Sequence, residues 1–184
     1  MLVNTFCAAV NGLEVTTVKV EVSMTRGVQF HLTGLADTAV RESYDRIRAA
    51  LQNNGLKMPM MDITANLSPA DIKKEGSGYD LPLAIGILAA SGKVDGSRLN
   101  DYMMVGELGL DGGVRYVPGA LLYAEFARAK GLKGVVLPYE CASEAYEISG
   151  IEIYGVHTLT EAVSVLSGDL LRDSVRVDAS GGKI

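Results

Sequence analysis

The stretch SPADIKKEGSGYDLPLAIGILAASG, from Ser68 to Gly92, runs from a strand end through a loop of lysine and glycine into an apolar helix. Asp80 is the residue type of an N-cap, because a carboxylate can accept from the free N–H groups of a first helical turn. Pro82 falls in that turn, where proline is tolerated. Leu81 to Ala90 is apolar on almost every face, which predicts a helix buried on all sides, and Gly92 is its stop signal. A buried helix entered from a glycine loop is a natural place for an anion or catalytic site. Lys73, Lys74, Gly76, Ser77, Gly78, Tyr79 and Asp80 form the candidate loop.

Upstream, Leu2 to Val10 reads as a strand or strand pair closed by the hairpin dipeptide Asn11-Gly12. Glu14 to Met24 alternates, with Val18, Val20, Val22 and Met24 on one parity. A turn at Thr25-Arg26-Gly27 and a strand over Val28 to Thr33 complete what reads as an antiparallel meander. Asp37 is the expected N-cap of a helix over Thr38 to Asn53, whose Val40, Tyr44, Ile47, Ala50 and Leu51 share a face. Arg41, Arg46, Arg48 and Lys57 read as a solvated face with Glu42 and Asp45 as partners; a surface facing phosphate or a partner is the other use of such a cluster. Asp62 to Leu67 is a strand feeding the loop.

Downstream, a polar connection leads to a strand at Tyr102 to Val105 and two short strands around Asp111-Gly112-Gly113. Pro118 opens a helix to Lys130, with Leu121, Leu122, Phe126 and Ala129 on one face. A strand at Gly134 to Leu137, a helix within Pro138 to Ile148, a strand at Ile151 to Val156 and a helix at Leu159 to Leu166 follow. Strands alternating with helices imply right-handed crossovers and a parallel part to the sheet. The polar tail reads as a linker over 169–184, leaving 1–168 as one domain with more chain expected beyond it.

The 184 residues suffice for one good core, burying roughly 70% of the unfolded surface. At 48% hydrophobic and 21% charged, the chain is globular. Its net charge of −5 confines nucleic-acid binding to a local patch, and the absence of tryptophan disfavours a base-stacking platform. Cys7 and Cys141 lie far apart and read as buried thiols in a reducing compartment. His31 and His157 have no cysteine or histidine cluster around them, which argues against a zinc site; His31 reads as a packed or half-exposed strand residue. Met1 to Val10 lacks the features of a signal peptide, and no apolar run approaches the roughly 20 residues of a membrane span. A cytoplasmic protein is expected.

Neither a Gly-x-x-x-x-Gly-Lys-Ser/Thr phosphate loop nor a Gly-x-Gly-x-x-Gly fingerprint occurs. Neither histidine lies where a Ser-His-Asp triad would want it, and Glu107 with Asp111 reads as a solvated hairpin pair rather than an acid and base. What remains is a Ser-Lys dyad, which needs an exposed serine and a desolvated lysine.

At this point several phrases become informative: Asn66 to Asp71 (NLSPAD), Lys74 to Gly92 (KEG-x-x-YDLP-x-AIGILAASG), Gly106 to Gly112 (GEL-x-L-x-G), Val20 to Val22, Gly34 to Ser43 (GLADTAVRES) and Arg46 to Leu51. Together with Gly131 to Pro138, they resemble the proteolytic domain of Lon and, more closely, the N-terminal domain of the YifB/ComM family of magnesium-chelatase-like AAA+ proteins. The resemblance covers residues 1–168. It implies an α+β fold: a mixed β-sheet with helices, Lon proteolytic-domain-like, of the ribosomal-protein and GHMP-kinase type superfold.

Laying the Lon dyad on this chain puts its serine at Gly78 and its lysine at Leu121, so the resemblance implies a domain without protease activity. Ser77 is the one shifted candidate nucleophile, and its base would have to be Lys73 or Lys74. The loop then reads either as a docking or nucleic-acid contact element or as a segment whose glycines and Asp80 simply shape the entry to the helix. The intact protein is expected to continue into an AAA+ ATPase module that binds ATP and Mg²⁺ outside this chain, to form a hexamer, and to drive DNA branch migration during natural transformation. The competing reading is an ATP-dependent serine protease. No metal or cofactor is expected within these residues.

Overall fold

The computed structural model describes residues 1–145 and 147–168, with the backbone of Arg176–Val177. It is an α+β fold built on a mixed sheet. Strand β1 (Leu2–Asn11) and strand β2 (Glu14–Thr25) pair antiparallel along their length, Leu2 opposite Ser23 and Asn11 opposite Glu14. The turn is Gly12-Leu13, one residue later than the Asn-Gly signal suggested, with Gly12 at φ +64° in its first central position.

The meander expected next is not there. Strand β3 (Phe30–Thr33) lies at the sheet edge, separated from β2 by β4 (Asp62–Ser68), which runs antiparallel to β2 and parallel to β3. The cause is the helical connection between β3 and β4, since a crossover of that kind joins parallel strands. Alternation fixes which face a strand buries and is silent about its neighbour. His31 is exposed on this edge strand. The helical connection itself is broken: α1 (Thr38–Arg41) and α2 (Ser43–Asn53) meet at Glu42. Val40, Ile47, Ala50 and Leu51 face the core as expected, and half-buried Tyr44 packs on Phe30 with ring centres 4.7 Å apart and planes tilted by 43°.

All residues of α3 (Asp80–Ala90) are buried, so its uniform apolarity has the predicted meaning. It rests on β1 and β2. Thr5 Oγ1 donates to the Pro82 carbonyl at 2.9 Å, and a Cβ at Gly86 would stand 2.8 Å from a Val22 methyl, so glycine there permits the close approach of helix to sheet.

The second half alternates as read. Strands β5 (Tyr102–Met104), β8 (Gly134–Pro138) and β9 (Glu152–Val156) run parallel, and β5 joins β1 in parallel through Phe6 and Met103. A separate hairpin, β6 (Glu107–Leu108) and β7 (Val114–Arg115), follows β5. Helices α4 (Ala120–Ala129), α5 (Tyr139–Ala142) and α6 (Leu159–Ser167) complete the layer. The face of α4 read from the sequence is buried only in part: Leu122 and Phe126 are half-buried, with Phe126 packed on the core. Ala120, Ala124 and Ala127 are buried while Leu121 and Ala129 are exposed, because a stripe of alanines lets the helix backbone lie close against β8. No described helix is long and apolar enough to cross a membrane. The segment read as a linker lies outside the described residues except for β10 (Arg176–Val177), whose backbone pairs antiparallel with β9.

Candidate cleft at the head of the buried helix

Asp80 is not an N-cap. The cap position belongs to Tyr79 and carries no side-chain bond. Asp80 sits in the first turn, fully buried, and its carboxylate accepts four hydrogen bonds: from Ser43 Oγ at 2.6 Å, Arg46 Nε at 2.6 Å, Arg46 Nη2 at 3.0 Å and the Leu108 amide at 3.0 Å. It thereby fastens α3 to α2 and to β6. Burial pushes the Asp80 carboxyl up, opposed by the Arg46, Ser43 and Leu108 hydrogen bonds. The Arg46 guanidinium is pushed further up by its hydrogen bonds to Asp80. Arg46 therefore does not belong to the solvated cluster in which the sequence placed it. The available signal was the lone carboxylate in an otherwise apolar buried helix, which requires a buried cationic or donor partner.

The two lysines of the loop have different fates. Lys73 is exposed and pairs with Glu75 at 3.3 Å. Lys74, expected in an exposed loop, is buried. Its ammonium donates to the Gly34 carbonyl at 2.7 Å and to the Pro69 carbonyl. Its backbone bonds to Leu35 and Asp37 on either side of the bridge it makes with Ala36. Asp37 caps α1 as predicted, through Val40 N at 2.9 Å, and its second oxygen accepts from Gly76 N at 3.1 Å. Lys74 and Asp37 thus hold the glycine loop against the turn before α1, and Lys74 has no surface left to offer a nucleic acid.

Burial lowers the Lys74 pKa, with Asp71 pulling the other way. A cation whose pKa falls on folding leaves the unfolded chain binding more protons, so its contribution to stability is lost as pH falls through the folded value and grows as pH rises towards 10.5. Subtracting the urea-unfolding stability of Lys74→Met from that of the unsubstituted chain should leave a difference that grows with alkaline pH. A difference independent of pH would refute this environment.

The loop forms one wall of an open cleft of about 800 Å³. Gly76, Ser77, Gly78 and Tyr79 line one side, β1 from Cys7 to Asn11 another, and Tyr116 to Gly119 with Leu122 and Tyr123 the third. Ser77 thus reaches the cleft. Lys74 does not line it, and neither does Leu121, which is 38% exposed on α4. Gly78 is tightly enclosed: a Cβ there would meet Val105 Cγ2 at 2.9 Å. The Cys7 thiol is pushed up to about 12 by burial and stays protonated. Burial likewise raises the Tyr79 and Tyr123 hydroxyls. The charged lining is Asp37, Glu75 and Glu107 against Lys73 alone. Among the described residues no group of His, Cys, Asp and Glu is placed to hold a metal ion. Glu107 and Asp111 are not a pair: Asp111 lies by Arg115 in the hairpin turn, while Glu107 faces the cleft. The cleft's third wall, Tyr116 and Tyr123 in particular, went unnoticed in the sequence, where tyrosines 37 and 44 residues beyond Tyr79 give no sign of converging on the loop.

Residues 20–141 match the family described as subunit ChlI of Mg-chelatase. The chain is 40% identical over 158 residues to the competence protein ComM of Haemophilus influenzae, covering 85% of this chain and 31% of ComM. It is 44% identical over 126 residues to YifB of Escherichia coli, covering 68% of this chain and 25% of YifB. Lon protease 2 of Bacillus subtilis is 28% identical over 178 residues, covering 84% of this chain and 32% of that protein, in keeping with the Lon-like fold. The chain spans about a third or less of the length of the curated relatives it matches. It belongs to the YifB/ComM family of magnesium-chelatase-like proteins, as their N-terminal, Lon-protease-like domain.

Proposed function

We propose that this chain is the non-catalytic, Lon-like accessory domain of a ComM/YifB-type ATPase, assisting ring assembly or the engagement of DNA while the motor drives branch migration in natural transformation. The observation that carries the non-catalytic part is that, among the described residues, neither lysine of the loop is placed as a desolvated base for the cleft's serine. Lys74 is turned onto the Gly34 and Pro69 carbonyls, Lys73 is solvated beside Glu75, and the residue that the resemblance lays on the Lon serine is Gly78. A serine without a desolvated base is a poor nucleophile at neutral pH. The residues also do not fit a nucleotide: no phosphate-binding Gly-x-x-x-x-Gly-Lys-Ser/Thr occurs, and the carboxylates of the cleft would repel a triphosphate. ATP and Mg²⁺ are assigned to parts of the protein outside this chain. The competence name of one relative supports the link to natural transformation.

The test is cleavage of fluorescent casein, with Ser77→Ala as control. No serine-dependent turnover is expected. Turnover abolished by Ser77→Ala would overturn the reading in favour of a Lon-like serine protease.

A further inference from the structure

The eight-stranded sheet ends at β3, whose outer edge no other strand covers. Ile63 N donates to the Gln29 carbonyl at 2.8 Å, which fixes the phase of the parallel ladder between β3 and β4. Gln29, His31 and Thr33 direct their backbone groups to β4, while Phe30 and Leu32 direct theirs away from the sheet. Among the described residues, no donor or acceptor meets the outward N–H and C=O groups of Phe30 and Leu32. The strand Phe-His-Leu-Thr carries no lysine, proline or bulge, the common guards of an edge, and shortness is its one protection. Apolar side chains are exposed at both its ends. Val28, 74% exposed, precedes it, and Met60, 84% exposed, precedes β4 at the same end, where Gln29 N also meets the Asp62 carboxylate. Leu35, 54% exposed, follows the strand.

We infer that the β3 edge pairs with the β3 edge of a second copy of this chain, antiparallel about a two-fold axis at His31, so that the two sheets run on as one. Three features of the edge select a copy as the occupant. In this register Phe30 of each chain faces Leu32 of the other, and the two pairs satisfy every outward backbone group of both strands. The antiparallel arrangement also brings Val28 of each copy to the Gly34–Leu35 end of the other. Exposed apolar ends then cover one another, the self-complementarity that a two-fold contact requires. A copy brings like charges, and Phe30–Thr33 has no carboxylate, lysine or arginine to oppose it. The contact uses none of the cleft and is independent of the non-catalytic reading. A two-fold contact closes a pair and not a ring, so this surface is distinct from one that assembles a ring.

The measurement is sedimentation velocity of the 184-residue chain over a concentration series. A monomer–dimer equilibrium is expected, with slower amide exchange at Phe30 and Leu32 in the dimer. His31 is exposed and stands opposite its own copy at the axis, in the kind of pair whose side chains lie closest. His31→Lys sets like charges against each other there and should weaken the dimer about fivefold, and His31→Glu should do the same. Mixed in equal amounts, the two variants should associate more tightly than either does alone, an outcome that misfolding of a variant cannot produce. A chain that stays monomeric into the millimolar range, a dimer indifferent to both charges, or a dimer with unchanged exchange at Phe30 and Leu32 overturns the inference. A short peptide of alternating valine and threonine tests the other occupant. Slower exchange at Phe30 and Leu32 on its addition, in a chain that remains monomeric, would mean that the edge takes a foreign strand and not a second copy.

Discussion

Replacing Asp80 with alanine is expected to destabilise the chain by about 3–5 kcal/mol, the loss typical of a buried ion pair stripped of one partner. The carboxylate satisfies four donors at once. Its removal leaves the Leu108 amide and the Ser43 hydroxyl proton without their acceptor in the core, and leaves the Arg46 guanidinium, 16% exposed, without its main counter-charge. Arg46 keeps three lesser contacts: Nη2 donates to the Ala39 carbonyl at 2.6 Å and to Ser43 Oγ at 3.5 Å, and Glu42 stands 3.6 Å away at the exposed end. None of them replaces a buried bidentate carboxylate. Asp80→Asn should fall between, because an amide of the same shape keeps one acceptor and turns an N–H₂ towards groups that are themselves donors. The informative control is Asp80→Ala combined with Arg46→Met. Removing both charges should recover part of the loss, since the cost of a broken buried pair lies largely in the partner left behind, and the coupling measured by the cycle should be well above that of distant sites. Urea unfolding followed by far-UV circular dichroism gives all four stabilities. A loss below about 1 kcal/mol for Asp80→Ala would mean the pair behaves like an exposed one.

The same residue shows what the sequence could and could not disclose. That Asp80 begins a helix and that the helix is buried followed from its neighbours, because eleven residues with no polar face have only one place to go. That the carboxylate reaches sideways to Ser43 and Arg46, some 34–37 residues away in the chain, is a tertiary fact. Helical periodicity put Arg46 off the apolar face and was correct as far as periodicity goes. The side chain then reaches around to the carboxylate, as long cationic side chains can.

Lys74 failed for a similar reason. Lysine, glycine and serine in a row have the composition of a solvated loop, but the loop's backbone bridges to Ala36 and directs that one ammonium inward onto two carbonyls. Strand existence and inward parity were legible for β2 and β4, whereas the order of β3 and β4 in the sheet was not, since period-two patterning carries no information about neighbours. On α4 large aliphatics were read as the inner face, and the helix instead turns its alanines inward. The cleft itself was legible on one wall only, the glycine loop.

Gly34→Ala is expected to cost about 2–5 kcal/mol, from backbone strain plus overpacking, although it adds only a methyl group. Gly34 holds φ +112°, a conformation that side-chain-bearing residues rarely adopt, and its Cβ would stand 2.2 Å from the Leu67 carbonyl oxygen and 2.8 Å from the Leu67 nitrogen. Those are backbone atoms of β4 and cannot rotate away, so β3 and β4 would have to part. The damage should spread to the cleft, because the Gly34 carbonyl receives the Lys74 ammonium and the next residue, Leu35, receives the Lys74 amide. Once Lys74 is loosened, the contact of Asp37 with Gly76 loses its geometry. Gly76 makes the matched comparison. It too has a positive φ, +85°, but a Cβ there meets nothing within 4 Å. Gly76→Ala should therefore cost only the conformational strain, about 1–2 kcal/mol. Urea unfolding of both variants measures the stabilities, and amide exchange over residues 74–78 reports the loop. Equal losses for the two alanines would mean that the contact with Leu67 is not what holds this turn. A larger loss for Gly34→Ala, with faster exchange in the loop, would tie the order of the cleft to the packing of the edge strands.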